Sequence, residues 1–337
     1  EEIEGLTELY RFFHWHIAFP DVFRLPDSWE KPDNPKTGCS GGFDVVLGNP
    51  PWEQIEVQET EWFASRRPNI AEALNAASRN VMIQDLKYDD TWLYELFINE
   101  KRKHEGIRHF LANSGRYPLC GRGRINTYSV FAEVMQDIIS PTGRVGAVIP
   151  SGIATDHTTR FFFQEIMGAS GNSALISFYD FENRQALFPG VHRSYKFSLL
   201  TMTGRARPAR GGTDFVFFAE QVEDLADPDR HVRLTMEDIR LINPNTLTVP
   251  IFRSRKDAEV TRMIHQSAPV LIREPGREGF EENPWGMSFR QGLFNMAADS
   301  SLFRTWTQLE DAGWSLEGNV FTKDGKRYLP LYEAKMI

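Results

Sequence analysis

Asn49, Pro50, Pro51 and Trp52 follow in direct succession on the aliphatic run Phe43 to Gly48, and a simple turn needs neither two prolines nor an indole. Two consecutive prolines remove two backbone N–H groups and stiffen the chain, which leaves the carbonyl oxygens as fixed acceptors. Asn49 adds a side-chain carbonyl and Trp52 a flat apolar face. Acceptors beside a stacking surface make a receptor for a planar group that carries an NH₂. The exocyclic amine of a nucleobase fits. Its lone pair is delocalised into the ring, but two acceptors gripping its N–H bonds favour a pyramidal nitrogen whose localised pair can attack an electrophilic methyl group directly.

That turn needs a platform. Residues 43–48 form a short β-branched and aliphatic run between glycines, the pattern of a fully buried parallel strand, and residues 143–152 hold a second such run. Between them Val130, Phe131, Val134, Met135 and Ile138 recur along one face of a helix that Asn126 can cap and that Pro141 and Gly143 are expected to stop. Strand, helix, strand implies a right-handed crossover and a parallel sheet, whose ligand crevice lies beyond the carboxyl ends of its strands. Residues 174–183 and 196–204 read as an antiparallel hairpin closing one edge. Residues 52–125 are largely helical by pattern and form an insertion directly after the turn.

Near residue 205 the texture changes to scattered Pro, Gly, Arg and Asp, which suggests a boundary. The chain therefore divides into residues 1–204, with the helical insertion at 52–125, and residues 205–337.

A net charge of −8 argues against a protein that coats nucleic acid nonspecifically, though not against binding through a local cleft. Arginines are nonetheless clustered: Arg122 and Arg124 beside the GxG of Gly121 and Gly123, then Arg205, Arg207 and Arg210. Each cluster reads either as a solvated loop or as a set of phosphate contacts. The two cysteines, Cys39 and Cys120, lie far apart and suggest neither zinc nor a disulfide. Neither follows a proline, as the nucleophile of a cytosine-C5 methyltransferase would. His14 and His16 would share one face of a strand, but no third ligand is near, so no metal site is expected. No apolar run approaches the length of a membrane helix, and the expected location is the prokaryotic cytoplasm.

The segments GGFDVVLGNPPWE, GRINTYSVFAE, GRVGAVIPSGI, LFPGVHRSYKFSLL and LINPNTLTVPIFRSRKDAE together resemble the large adenine-specific DNA methyltransferases of type II restriction-modification and of the BREX (PglX-like) and DISARM phage-defence systems. The resemblance implies an α/β fold: a partial Rossmann-like methyltransferase sheet with a helical insertion, then a mixed α+β region for target recognition. It implies S-adenosylmethionine as cofactor, double-stranded DNA as substrate and restriction or defence subunits as partners. By the same resemblance Asn49 and the Pro50 carbonyl accept from the amine of a flipped-out adenine, Pro51 completes the turn and Trp52 stacks on the base. Phe188 contacts the base from its other side, while Asp21 and Asn49 border the cofactor. Residues 283–303 mix aromatic and polar residues, the texture of a recognition surface or equally of an ordinary core segment.

One departure stands out. Residues 1–42 hold no Gly-rich loop of the kind that binds the cofactor, so the chain reads as the latter part of a longer protein, with its missing N-terminal part as a partner. Two other functions stay open: an amino-methyltransferase acting on RNA or on a protein glutamine amide, and a nuclease or DNA-specificity module built on Asp324, Glu333 and Lys335.

Overall fold

In the computed structural model, residues 2–11, 13–27, 29–275, 281–288 and 299–331 are described. Contacts divide the chain into two units, Glu1–Glu282 and Asn283–Ile337. The first begins with helices α1 (Glu2–Tyr10) and α2 (Trp15–Ala18), a two-residue hairpin of β1 (Phe23–Arg24) with β2 (Ser40–Gly41), and then β3 (Phe43–Gly48). The helical excursion follows: α3 (Glu59–Ala64), α4 (Pro68–Ala71), α5 (Ala76–Asp89) and α6 (Thr91–Asn113). Its helices bury a cluster of their own around Phe63, Ile70, Ile83, Leu86, Leu93 and Phe97.

The chain returns to the sheet through α7 (Thr127–Ile138) and β4 (Ile139–Ile149). Asn126 caps α7 as expected, its side chain accepting from the Tyr128 N–H. The stop differs from expectation. Ile139 turns extended directly after the helix, and Pro141 and Gly143 lie inside β4. Gly143 is needed there because a Cβ would meet the Phe43 carbonyl oxygen at 2.6 Å.

Beyond β4 come α8 (Gly152–Thr155), α9 (Arg160–Ile166), β5 (Leu175–Glu182), β6 (Lys196–Thr203), β7 (Thr213–Ala219), β8 (Val232–Leu234), α10 (Met236–Ile242) and α11 (Arg255–Ser267). The six-stranded sheet runs in the order β3-β4-β6-β5-β7-β8. Pairs β3/β4 and β5/β7 are parallel, while β4/β6, β5/β6 and β7/β8 are antiparallel. The fold is thus α/β around one mixed sheet. Side chains alternate across it: Leu200 and Met202 of β6 enter the large core, and Phe197 and Leu199 the smaller cluster on the other face.

Three expectations need correction. β3 is an edge strand, not a fully buried one, and leaves Val45 59% and Leu47 78% exposed. The β5/β6 pair is antiparallel as read but sits inside the sheet, because β7, read from sequence as beyond the domain, pairs with β5. His16 lies in α2 with His14 just before it, so the two rings, 5.9 Å apart, ride on a helix start and not a strand. The change of texture near residue 205 falls in the turn between β6 and β7.

The second unit holds α12 (Trp306–Asp311) and an antiparallel sheet of β9 (Ser315–Glu317), β10 (Val320–Lys323) and β11 (Lys326–Tyr328). Trp306 meets Phe321 edge-on, and Trp314 meets Tyr328 likewise. Of the proposed nuclease triple, Asp324 occupies the β10–β11 turn at φ 49°, while Glu333 and Lys335 lie outside the described residues, as do residues 289–298 of the candidate recognition segment.

Candidate active site

β3 delivers its last residue, Gly48, to the turn, and the turn is tied to the start of α7. The Thr127 hydroxyl donates to the Pro51 carbonyl at 2.6 Å and accepts from the Glu53 N–H at 3.0 Å. The Thr127 N–H donates to the Glu53 carbonyl at 2.8 Å, and Ile55 N–H to the Ile125 carbonyl at 3.3 Å. Four hydrogen bonds therefore fix a turn whose two prolines donate none. Among the described residues nothing hydrogen-bonds to the Asn49 side chain or the Pro50 carbonyl, and Asn49 is exposed. Both acceptors are thus unpaired, the first on an exposed residue and the second on a buried one.

Trp52 is half-buried and packs on both cores. Its Nε1–H is buried with no partner among the described residues, a costly state for a donor, of order 1–3 kcal/mol.

The opposite wall rises from the same end of the sheet, since β3, β4 and β5 run in one direction and β6 returns against them. Phe181 at the end of β5 stacks on Phe197 at the start of β6, with centroids 5.2 Å apart and planes 6° from parallel. Phe188, on the loop between these strands, meets Phe197 edge-on at 5.0 Å and stays 43% exposed. Trp52 leans on the same Phe181–Phe197 cluster. The turn and the Phe188 loop thus share one aromatic support.

Below that support lies a buried polar junction. The Asp180 carboxylate accepts from the Ser151 hydroxyl, just beyond β4, and from the Phe218 N–H at 3.3 Å. Burial raises its pKa, against the pull of both hydrogen bonds. Phe218 sits at φ 57°, with Lys196 and Arg253 stacked on its ring at 4.7 and 4.6 Å. Lys196 also holds the Glu182 carboxyl below the usual carboxylate range, with Arg184 adding to it.

The remaining sequence-named residues are dispersed. Asp21 is exposed on the turn before β1, next to Val22, whose carbonyl accepts from the Gly42 N–H at the start of β3. Asn49 lies beyond the other end of that six-residue strand, roughly 20 Å away at strand spacing. Asp21 therefore does not fit a ligand group shared with Asn49, and the described residues put no glycine-rich loop at that end. Arg205, Arg207 and Arg210 occupy the β6–β7 turn, at the sheet end opposite the proline turn, and Arg205 pairs with Asp33.

Arg122 and Arg124 lie on the nearer side, in the turn into α7. Arg124 pairs with Glu56, and Arg122 stacks over Phe161 at 4.7 Å. Beside them a groove of about 1130 Å³ runs along α6, lined by Arg102, Lys103, Arg108 and His109 with Gly123 and Ile125. Sequence reading did not single out these α6 cations.

Both cysteines are buried and free, and burial pushes the Cys120 thiol up. Among the described residues no group of three His, Cys, Asp or Glu side chains could hold a metal ion, and no helix is long and apolar enough to cross a membrane.

Sequence reading also missed Thr127 and Asn183, the latter fully buried. A polar residue at the end of an aromatic strand, as in FYDFEN, was the available signal for Asn183; for Thr127 there was none.

Residues 2–100 match the model of the Eco57I restriction-modification methylase family. This segment contains β3, the proline turn and most of the helical excursion; residues 101–337 lie outside it. The match supports the methyltransferase class for this segment.

No curated protein matches the chain. Solved structures are similar over part of it, among them the following three. One is the cryo-EM DrdV–DNA complex, 13% identical over 53% of this chain and 15% of that one, with a TM-score of 0.28. Another is a putative class I S-adenosylmethionine-dependent methyltransferase from Listeria monocytogenes, 9% identical over 60% of this chain and 41% of that one, TM-score 0.27. The third is the ATP-dependent Type ISP restriction-modification enzyme LlaBIII bound to DNA, 8% identical over 52% and 10%, TM-score 0.27. The chain spans less than half the length of each, and TM-scores of this size carry no argument.

Proposed function

We propose that this chain carries the base-binding and catalytic turn of a DNA adenine-N6 methyltransferase built on a Rossmann-like sheet. One observation carries the reading: the Asn49 side chain and the Pro50 carbonyl are free acceptors on a turn locked from behind, beside an aromatic wall shared by Trp52 and Phe188. The family match over the same turn supports it.

In this reading Asn49 and the Pro50 carbonyl accept the two N–H bonds of the adenine amine and localise its lone pair. Trp52 and Phe188 hold the base by its faces. Flipping a base from duplex DNA costs a few kcal/mol, and each aromatic contact returns about 1–3 kcal/mol. S-adenosylmethionine, when bound, supplies the electrophilic methyl group. The amine nitrogen would take that methyl as the donor's sulfur–carbon bond breaks, with an amine proton passing to water. Asn49 would lie at the border of the base and the methyl donor, with Pro51 and Trp52 beside it in the turn.

The test is transfer of radiolabelled methyl from S-adenosylmethionine to unmethylated genomic DNA, followed by nucleoside analysis. Label in N6-methyladenine with the full-length protein, and none with its Asn49→Ala variant, is the expected result. Full transfer by Asn49→Ala overturns the mechanism. Label in RNA or in protein glutamine, with none in DNA, overturns the substrate.

A further inference from the structure

We propose that Asn183 is the positioning residue that sets Phe188 against the bound base, an inference that rests on the base-contact reading above. The loop from Arg184 to Lys196 is exposed at nearly every residue, so packing does little to order it. Asn183, by contrast, is wholly buried at the end of β5, where it starts a short 3₁₀ turn, Asn183–Gln185. Its side chain reaches across the loop. The Oδ1 accepts from the Phe188 N–H at 3.0 Å, and Nδ2 donates to the carbonyls of Phe188 at 3.0 Å and Val191 at 2.9 Å.

A carboxamide carries the same donor and acceptor as a peptide unit. Asn183 therefore grips both backbone groups of Phe188 as a neighbouring strand would, and fixes orientation as well as position. Its own N–H donates to the Tyr195 carbonyl at 3.1 Å, so one residue joins both limbs of the loop. The chain between needs a reversal, which Ala186 supplies at φ 53°. Held this way, the Phe188 ring stands edge-on to Phe197, toward the cluster that supports Trp52.

The chemistry is specific to asparagine. Aspartate has the same shape but lacks both donors and sets a negative charge against two carbonyl oxygens. A buried asparagine that served stability alone would make the same hydrogen bonds, so the test must read Phe188 itself.

Amide hydrogen exchange is measured in the wild-type chain and in Asn183→Asp, with Asn183→Ser as replacement if the buried carboxylate unfolds β5. The Phe188 amide is expected to exchange about tenfold faster or more, while β5 and β6 amides keep their protection. Unchanged protection at Phe188 overturns the clamp without reference to any substrate.

Methyl transfer to genomic DNA is then compared among Asn183→Asp, Phe188→Ala and the double variant. Losses in kcat that do not add, so that the double variant falls no further than Phe188→Ala, are expected if Asn183 acts through Phe188. Additive losses overturn that route. Full transfer by Phe188→Ala overturns the base-contact reading while leaving the clamp decided by exchange.

Discussion

The Thr127 hydroxyl and the Pro51 carbonyl, 76 positions apart in sequence, meet at 2.6 Å. The bond consumes the second proline carbonyl in structure and so separates its role from that of the first. Pro51 anchors the turn; the carbonyl of Pro50, a buried residue, is left unpaired.

Thr127→Val keeps the shape and removes both side-chain bonds, to Pro51 and from Glu53. The expected stability loss is about 1–2 kcal/mol by urea unfolding. Transfer should fall about tenfold or more, because acceptors that wander lose the geometry the reaction needs. Transfer at the wild-type rate in a measurably destabilised protein would show that the turn holds its shape unaided.

Gly42 and Gly48, at the two ends of β3, should answer differently to alanine. A Cβ on Gly42 would meet Ile139 and Ser140 backbone atoms at 2.6 Å, at a φ of 128°. A Cβ on Gly48 would meet only the flexible Met135 Cε, at 2.8 Å. Gly42→Ala should cost about 3 kcal/mol or more. Gly48→Ala should cost below about 1 kcal/mol, since a methionine terminus can swing aside. Equal midpoints in thermal unfolding would contradict the close approach of β3 to β4.

Asp180 gives a pH prediction. Burial raises its folded pKa above the unfolded value of about 3.9. The native state then binds that proton more tightly than the unfolded chain. Its contribution to stability is full below pH ~4 and is lost as pH rises through the folded value. Asp180→Asn keeps an acceptor for the Phe218 N–H and offers a donor to Ser151, with no charge to bury. The variant should gain stability over the wild type as pH rises from ~4, levelling off above the raised pKa. Parallel stability profiles for the two proteins would refute this.

The arginine clusters can be separated by salt. The α6 cations Arg102 and Arg108 line one groove, with Arg122 and Arg124 in the neighbouring turn, while Arg205, Arg207 and Arg210 sit at the far end of the sheet. Alanine at Arg102 and Arg108 should weaken DNA binding and lower the slope of log affinity against log salt by about one per lost contact. Alanine at Arg207 and Arg210 should leave both unchanged. Fluorescence anisotropy between 50 and 200 mM salt, on the order of the usual working range, reads the difference.

What the sequence revealed follows physical reach. The proline turn and α7 were legible because a dipeptide of prolines, an asparagine cap and a 3.6-residue period are local facts. The position of β3 was not, because Val45 and Leu47 are as apolar on an open edge as in a core. The β5/β6 pairing was visible, but its interior place depended on β7, whose partner lies more than thirty residues back. Thr127 and Asn183 act through bonds that exist only after folding, and the helix-to-strand change at Ile139 overrides the stop signal of Pro141.

The excursion after the turn departs and returns through a single bridge between Gln54 and Asn126. Its outer helices bury their own cluster, and its two limbs join the main core, the outgoing one through Ile55 and the return one through Leu111, Cys120 and Ile125. A loop whose ends already touch can be lengthened at little cost, about 0.6 kcal/mol for each doubling. The arrangement resembles a socket with an interchangeable attachment: the excursion can grow, shrink or be exchanged, while the four bonds behind the prolines stay in register.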